Sequence, residues 1–345
     1  MSDATGSKAL LAALIAGQDL DRDQAHGLMR AIMAGVVPPA RLAGLLVALR
    51  AKGETVDEIA GFAGAMREGA VAIRPAAPAL LDTCGTGGDG TGTFNISTAT
   101  ALVCAAMGIR VAKHGNRAVS SKCGSADVLE ALGVNLDVPP ERVAALVDEV
   151  GIGFMFAPHL HPAMKHAMPA RLELGVRTVF NVLGPLTNPA GADRQLLGVF
   201  DPDLCEPLAN VLGALGSSRA FVVHGHGGLD EVSLLGPTTV ASLEEGAVTT
   251  STFEPGQAGL TVCTPEDLAG GDPEFNAAII REILGGEEGP RTDAVLLNAG
   301  FAAVLAELAD DPAGGVQAAR NALAQGLGTD LLDRFVAASH AEVAR

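Results

Sequence analysis

The 345-residue sequence predicts an α/β protein in two parts, a small all-helical domain and a larger α/β domain with a mostly parallel central sheet. Three observations carry this expectation. The length suits two domains rather than one. The first 70 residues show helical periodicity and helix caps but no strand pattern. Beyond them, short β-rich runs alternate with glycine-rich turns and helical stretches, the pattern of βα units around a parallel sheet.

In the helical part, Asp21-x-x-Gln24 and Thr55-x-x-Glu58 fit the capping box, in which the two side chains satisfy each other's orphan N–H groups. Pro38 and Pro39 suit the start of a helix that runs to about Lys52 and stops at Gly53. Leu42, Leu45, Leu46 and Leu49 give that helix one apolar face. A further helix should end near Gly69. Nothing here looks catalytic, so packing and subunit association are the expected roles.

Residues 71–79, with Pro75 and Pro78 among alanines, read as a linker. After it, Leu80–Thr83, Ile109–Ala112, Leu196–Phe200, Ala220–Val223 and Ala294–Leu297 read as strands. Met164–Gly175 reads as helical, and Asn181–Pro189 as turn-rich. This stretch is expected to return to the helical domain and wall a cleft. The division is therefore 1–72 with about 163–188 for the helical domain, and 73–162 with 189–345 for the α/β domain.

Composition narrows the function. Apolar residues make up 48%, with Trp and Tyr absent, so the core must rest on aliphatic side chains and Phe. A net charge of −17 argues against general nucleic-acid binding, which needs a basic footprint. The five cysteines, at 84, 104, 123, 205 and 263, form no CxxC pair and suit reduced cytoplasmic thiols. Ala9–Ala16 is too short to span a bilayer and has the wrong flanks for a signal peptide, so no membrane association is expected.

Chemistry concentrates between Gly85 and Asp127. The first strand runs into Gly85-Thr-Gly-Gly-Asp-Gly-Thr-Gly92, then Thr93-Phe-Asn-Ile-Ser-Thr98 and a helix. Glycines let backbone N–H groups approach phosphate oxygens, and the helix terminus adds its dipole. Asn95, Ser97 and Thr98 can donate from side chains or cap the helix. The Gly85-x-Gly87-x-x-Gly90 spacing matches the dinucleotide fingerprint, but no acidic ribose-binding residue follows at the usual distance. A nucleotide P-loop would need a Gly-Lys-Ser/Thr ending, which is absent.

The second strand leads into Lys113-His-Gly-Asn-Arg-Ala-Val-Ser-Ser-Lys-Cys-Gly-Ser-Ala-Asp127, a second loop suited to a polyanion. Lys113 is its best point charge, while Ser120, Ser121 and Ser125 are compact donors. Adjacent Asp230 and Glu231, after a strand and a glycine loop, suggest Mg²⁺ shared with substrate oxygens. His224-x-His226 and His159-x-His161 offer no obvious third zinc ligand.

Together these loops resemble the anthranilate phosphoribosyltransferase family. The matching residues are Gly85–Asp89, Asn95–Thr98, Lys113–Arg117, Gly124–Asp127, His161–His166, Asn181–Asn188 and Leu229–Glu231, and the likeness runs on to Leu296–Gly300. The resemblance implies the nucleoside phosphorylase/phosphoribosyltransferase-like fold and a cytoplasmic homodimer formed through the helical part. It implies transfer of the 5-phosphoribosyl group from phosphoribosyl pyrophosphate to the amine of anthranilate, a step of tryptophan synthesis, with Mg²⁺. Phosphoribosyl pyrophosphate would contact Gly85, Gly88, Asp89, Thr93, Asn95, Ile96, Ser97, Thr98, Lys113, His114, Gly115, Asn116, Arg117, Ala118, Val119, Ser120, Ser121 and Ser125. Anthranilate would meet Gly85, Asn116 and Arg171, and the metal Ser97, Asp230 and Glu231. No covalent nucleophile is implied. Cys123 stands where such loops frequently carry Ser. A pyrimidine nucleoside phosphorylase shares the architecture and a glycine-rich phosphate loop, but the Lys113–Arg117 loop and the Arg171 region point away from it. A nucleic-acid-binding relative on the same fold is disfavoured by the acidic charge.

Overall fold

The computed structural model of the chain describes residues 3–118 and 122–341. Four helices open it: α1 (Asp3–Ile15), α2 (Arg22–Met33), α3 (Pro39–Lys52) and α4 (Val56–Glu68). Both capping boxes form, Asp21 with Gln24 and Thr55 with Glu58. Pro39 opens α3, and Gly53 ends it at φ +90°. Glu58 is buried within its box, where it also accepts from Leu20 N–H at 2.9 Å and pairs with Lys52 at 3.0 Å.

The α/β part holds one seven-stranded sheet of order β3-β2-β1-β4-β5-β6-β7, built from β1 (Leu81–Asp82), β2 (Val111–Gly115), β3 (Ile152–Phe156), β4 (Arg194–Gly198), β5 (Arg219–Gly225), β6 (Thr238–Glu244) and β7 (Ala247–Phe253). The first five strands are parallel, and β6 and then the edge strand β7 extend the sheet, each antiparallel to the strand before it. Helices α5 (Ile96–Ala106), α6 (Ser125–Ala131) and α7 (Pro140–Glu149) lie between the early strands. Short α8 (Ala157–Leu160), α9 (Met168–Leu174) and α10 (Phe180–Leu183) precede β4, and α11 (Cys205–Ala214) follows it. The chain closes with α12 (Pro273–Leu284), α13 (Pro290–Leu305), α14 (Pro312–Ala324) and α15 (Leu327–Ser339).

Two of the expected strands need correction. Ala294–Leu297 lies inside α13, whose residues from Ala294 to Ala303 are all buried between α5, α14 and the sheet. A helix buried all round leaves a continuous apolar run, which periodicity cannot tell from a core strand. The second strand sits further along than Ile109–Ala112 and takes in Lys113, His114 and Gly115, because pairing with β3 continues through His114↔Met155 to Gly115↔Phe156.

The order of strands fixes the site. From β1 the chain steps one way to β2 and β3, then crosses to β4 and β5 on the other side of β1. Loops from the carboxyl ends of β1 and β4 therefore diverge and leave a crevice, the place where ligands bind in open parallel sheets. One apolar cluster joins α2–α4, Ala167, Ala170, Phe180–Leu186, α11 and the β4–β6 face, so the 162–187 segment packs on the opening helices and overhangs this crevice. The linker is pinned behind it, where Asp148 accepts from Ala76 and Ala77 N–H.

Candidate active site

The glycine turn leaves β1 at the switch point. Gly87, Gly88, Gly90 and Gly92 hold φ near +70°, which side-chain-bearing residues rarely adopt. The turn is fastened at its root. Thr86 N–H donates to Gly198 O at 2.9 Å, Phe200 N–H donates to Thr86 Oγ1 at 3.2 Å, and Gly87 N–H donates to Asp230 Oδ2 at 2.6 Å. A Cβ on Gly85 would lie 2.7 Å from that carboxylate oxygen, and one on Gly198 would lie 1.6 Å from Asp230 O. Asp230 thus fills space that two absent side chains leave, and the turn and the acidic pair form one unit.

The start of α5 completes this corner. Ser97 N–H donates to Glu231 Oε1 at 3.0 Å. Asn95 takes the N-cap position without capping; its amide donates to Cys123 O at 3.1 Å and its oxygen accepts from Asn276 at 2.9 Å. Asn95 is therefore a strut between the first loop, the second loop and α12. Thr93 bridges to Ala269, Ile96 is core, and Thr98 is buried with its hydroxyl unpartnered.

Lys113 is not the surface cation that a loop position suggests. It is 2% exposed within β2, and its Nζ donates to Thr83 O and Oγ1 at 3.2 Å each and reaches Ser97 Oγ at 3.4 Å. Beside it, Asp82 accepts from His114 N–H at 3.2 Å and from Asn188 Nδ2 at 2.7 Å. Burial pushes the Asp82 carboxyl up to about 6, against the pull of Lys113. Burial, with Asp89 in hydrogen-bonding contact, lifts Asp230 to about 7. Glu231 is raised well above its ordinary value by burial and by Asp230. The crevice floor is therefore one ammonium beneath crowded carboxylates that gain from added positive charge.

The second loop is only partly turned to the crevice. Arg117 pairs with Asp127 at 3.1 Å and Glu130 at 2.5 Å and stacks over Phe156, so its charge is already neutralised. Asn116 O accepts from Ser125 Oγ at 3.2 Å, and Asn116 Oδ1 accepts from Arg117 N–H at 2.8 Å. Asp127 takes the Ala118 and Gly124 N–H groups. Gly115 and Gly124 are required by contact, since a Cβ on either would lie 2.3 Å from Ser125 Oγ or Ala118 N. Cys123 is buried, and burial pushes its thiol up to about 11. Val119, Ser120 and Ser121 lie outside the described residues.

The overhanging segment supplies the other wall. His114 Nδ1 lies 3.1 Å from Gly184 O, and its ring stands 5.2 Å from that of His161. Both Nε2 atoms are buried without a partner. Burial, then His161, lowers the His114 imidazole to about 3, and burial lowers His161 as well. Both rings are neutral, and the Gly184 contact puts the His114 proton on Nδ1, which leaves Nε2 an acceptor. Arg171 is half-buried with its guanidinium 5.1 Å from the Phe180 ring, and no carboxylate pairs with it among the described residues. His224 Nδ1 faces Val199 O at 2.8 Å, and among the described residues no three His, Cys, Asp or Glu side chains converge as a metal cage.

Several residues of the site carried no assignment from sequence. Asp82, Thr83 and Asn188 tie the floor together, Gly198 makes room for Asp230, and His161 and Arg177 face the loops from the overhang. His161 and Asn188 stood within motifs already noted. Gly198 carried no signal, because its need is a contact with a residue 32 positions away in sequence.

Comparison with known proteins agrees with this two-part fold. The helical bundle domain of the glycosyl transferase family matches residues 8–70, and the a/b domain of that family matches residues 77–329. Anthranilate phosphoribosyltransferase of Moorella thermoacetica is 53% identical over 330 residues, covering 96% of this chain and 97% of the relative. That of Desulfatibacillum aliphaticivorans is 52% identical over 327 residues, covering 95% and 97%. The crystal structure of the Thermus thermophilus enzyme superposes with a TM-score of 0.92 at 51% identity, covering 96% of this chain and 99% of that one. The Saccharomyces cerevisiae enzyme in complex with phosphoribosyl pyrophosphate and Mg gives 0.88 at 29% identity, covering 97% and 98%.

Proposed function

The chain belongs to the anthranilate phosphoribosyltransferase family, and from that premise we propose how its crevice moves the 5-phosphoribosyl group from phosphoribosyl pyrophosphate to the amine of anthranilate. In this reaction of tryptophan biosynthesis the C1–O bond to pyrophosphate breaks, a C1–N bond forms, and the amine loses a proton to the departing pyrophosphate or to water. Positive charge develops on the ribose and negative charge on the departing pyrophosphate.

The observation that carries the reading is the switch-point corner, where the glycine turn, the α5 N-terminus and buried Lys113 meet the Asp230–Glu231 pair. The turn from Gly85 through Gly88, Asp89 and Thr93 is placed for the pyrophosphate and ribose. Ser97 and Lys113 act from beneath, and Asn116, Ala118 and Ser125 of the second loop serve the far end of the donor. Fixed N–H groups and a buried ammonium stabilise the leaving charge without reorganising. Asp230, Glu231 and Ser97 are the residues that would hold Mg²⁺. They are hard oxygen donors, and the two carboxyls, raised by burial and by neighbouring carboxylates, would gain from a cation beside them. When bound, the ion supplies that charge beside phosphate oxygens.

Anthranilate belongs under the overhang. Arg171, with no carboxylate partner among the described residues, suits its carboxylate, and Gly85 and Asn116 border the same space. The unpartnered Nε2 atoms of His114 and His161 suit the N–H groups of an aromatic amine. His114, lowered to about 3, is too weak a base to keep the amine's proton, so it orients the acceptor rather than carrying the proton away. We further assign residues 1–72 with about 163–188 to one helical domain that pairs two copies, and place the enzyme in the cytoplasm. Among the described residues no helix is long and apolar enough to cross a membrane.

The test is loss of anthranilate fluorescence on addition of phosphoribosyl pyrophosphate and Mg²⁺. Turnover is expected. Phosphate-dependent release of a base from a pyrimidine nucleoside, with no use of anthranilate, would overturn the reading.

A further inference from the structure

Six residues beyond Arg171, the same overhanging segment carries a second arginine whose contacts cross the crevice. We infer that Arg177 is a positioning residue that holds the glycine turn from the opposite wall, an inference resting on the reading of that turn as the pyrophosphate site. Arg177 Nη2 donates to Gly88 O, and its guanidinium lies 3.9 Å from the centre of the Phe200 ring. Phe200 is itself bound to the turn, its N–H donating to Thr86 Oγ1. The stacking platform and the carbonyl that Arg177 grips therefore belong to one unit.

The need for such a grip follows from the turn's composition. Gly85, Gly87, Gly88, Gly90 and Gly92 leave the backbone many conformers, and an exposed peptide among them can rotate at little cost. An anion needs N–H groups, and a carbonyl rotated toward it repels it. Gly198 and Asp230 fix the root of the turn through Thr86 and Gly87. Gly88, one residue further out, is exposed at φ +74°, and its carbonyl is the group that Arg177 occupies. The guanidinium selects one turn conformer while the stack on Phe200 keeps the cation in place. Because Arg171 and Arg177 sit on one short stretch, the acceptor cation and the donor turn are also set relative to each other.

The experiment compares wild type, Arg177→Ala and Arg177→Lys by backbone amide exchange of residues 85–92 without substrate, and by steady-state kinetics. For Arg177→Ala, faster exchange across the turn is expected, with KM for phosphoribosyl pyrophosphate raised about tenfold, equivalent to about 1.4 kcal/mol. KM for anthranilate should change less. Arg177→Lys should restore little, since an ammonium lacks the flat face that stacks while it donates. Exchange in Arg177→Ala equal to wild type overturns the inference, as does an unchanged KM for phosphoribosyl pyrophosphate. Absence of turnover in wild type would instead refute the functional reading, while the exchange measurement still decides whether Arg177 holds the turn.

Discussion

Replacing Lys113 with Ala tests the floor of the crevice. Nζ sits among Thr83 O, Thr83 Oγ1 and Ser97 Oγ at 3.2–3.4 Å, with the carboxylates of Asp82 and Glu231 close enough to shift with it. Losing one preorganised group at a developing charge typically lowers kcat by about 10²–10³, or about 2.7–4 kcal/mol. Lys113 carries a full charge in a buried position, so the upper end of that range is expected. Stability should suffer less. Stranding a buried charge usually costs about 3–5 kcal/mol, but Asp82 has an escape. With Lys113 present its carboxyl is already at about 6, and without Lys113 it rises further and takes up a proton at neutral pH. Keeping the wild-type carboxyl protonated at pH 7 costs about 1.4 kcal/mol, one pKa unit, so the loss should stay below about 3 kcal/mol. A raised folded-state pKa for an acid means stability present at low pH and lost as pH rises. The gap in melting temperature between wild type and variant should therefore widen from pH 5 to pH 8. The assay is initial-rate loss of anthranilate fluorescence, with Lys122→Ala as the exposed-lysine control, which should retain activity. If Lys113→Ala turns over within about threefold of wild type while folded, the buried ammonium is not a source of transition-state stabilisation.

Asp230→Asn keeps an oxygen for Gly87 N–H but removes the charge, so Mg²⁺ titration of activity should show apparent affinity weakened at least about tenfold. In wild type, affinity should strengthen as pH rises through about 7, where the Asp230 carboxyl ionises. Gly198→Ala would place a methyl 1.6 Å from Asp230 O; denaturant unfolding should show a loss at or above the roughly 3 kcal/mol of severe overpacking, with activity falling alongside. His114, lowered to about 3 by burial, binds its proton less readily when folded, so its contribution is complete above its ordinary value near 6.5 and lost as pH falls toward 3. At pH 5 that loss is about 2 kcal/mol, and urea unfolding should show His114→Gln spared it. Equal pH dependence in both proteins would contradict the buried, neutral imidazole.

Sequence revealed most where function is local. The capping boxes of α2 and α4, the Pro39–Lys52 helix and the glycine turn all depend on residues a few positions apart. The family was legible because Gly85–Asp89, Lys113–Arg117 and Leu229–Glu231 are compact motifs. What escaped was set by long-range contact. Lys113 read as a loop cation because strand pairing with β3, which carries it into the floor, has no mark in its own neighbourhood. Arg117 looked available until Glu130, 13 residues further on in α6, claimed its charge. Ala294–Leu297 mimicked a strand because α13 is buried all round. Asp82 and Asn188 lie 106 residues apart, and their bond exists only once β1 and the 185–189 turn are folded together.

The fate of the two substrates decides whether one crevice joins them. Phosphorus NMR of the chain with phosphoribosyl pyrophosphate and Mg²⁺ should show the donor stable until anthranilate is added. Pyrophosphate should then appear one for one with N-(5-phosphoribosyl)anthranilate. Pyrophosphate released at the same rate without anthranilate, or a donor left untouched after it is added, would contradict a crevice that joins the two.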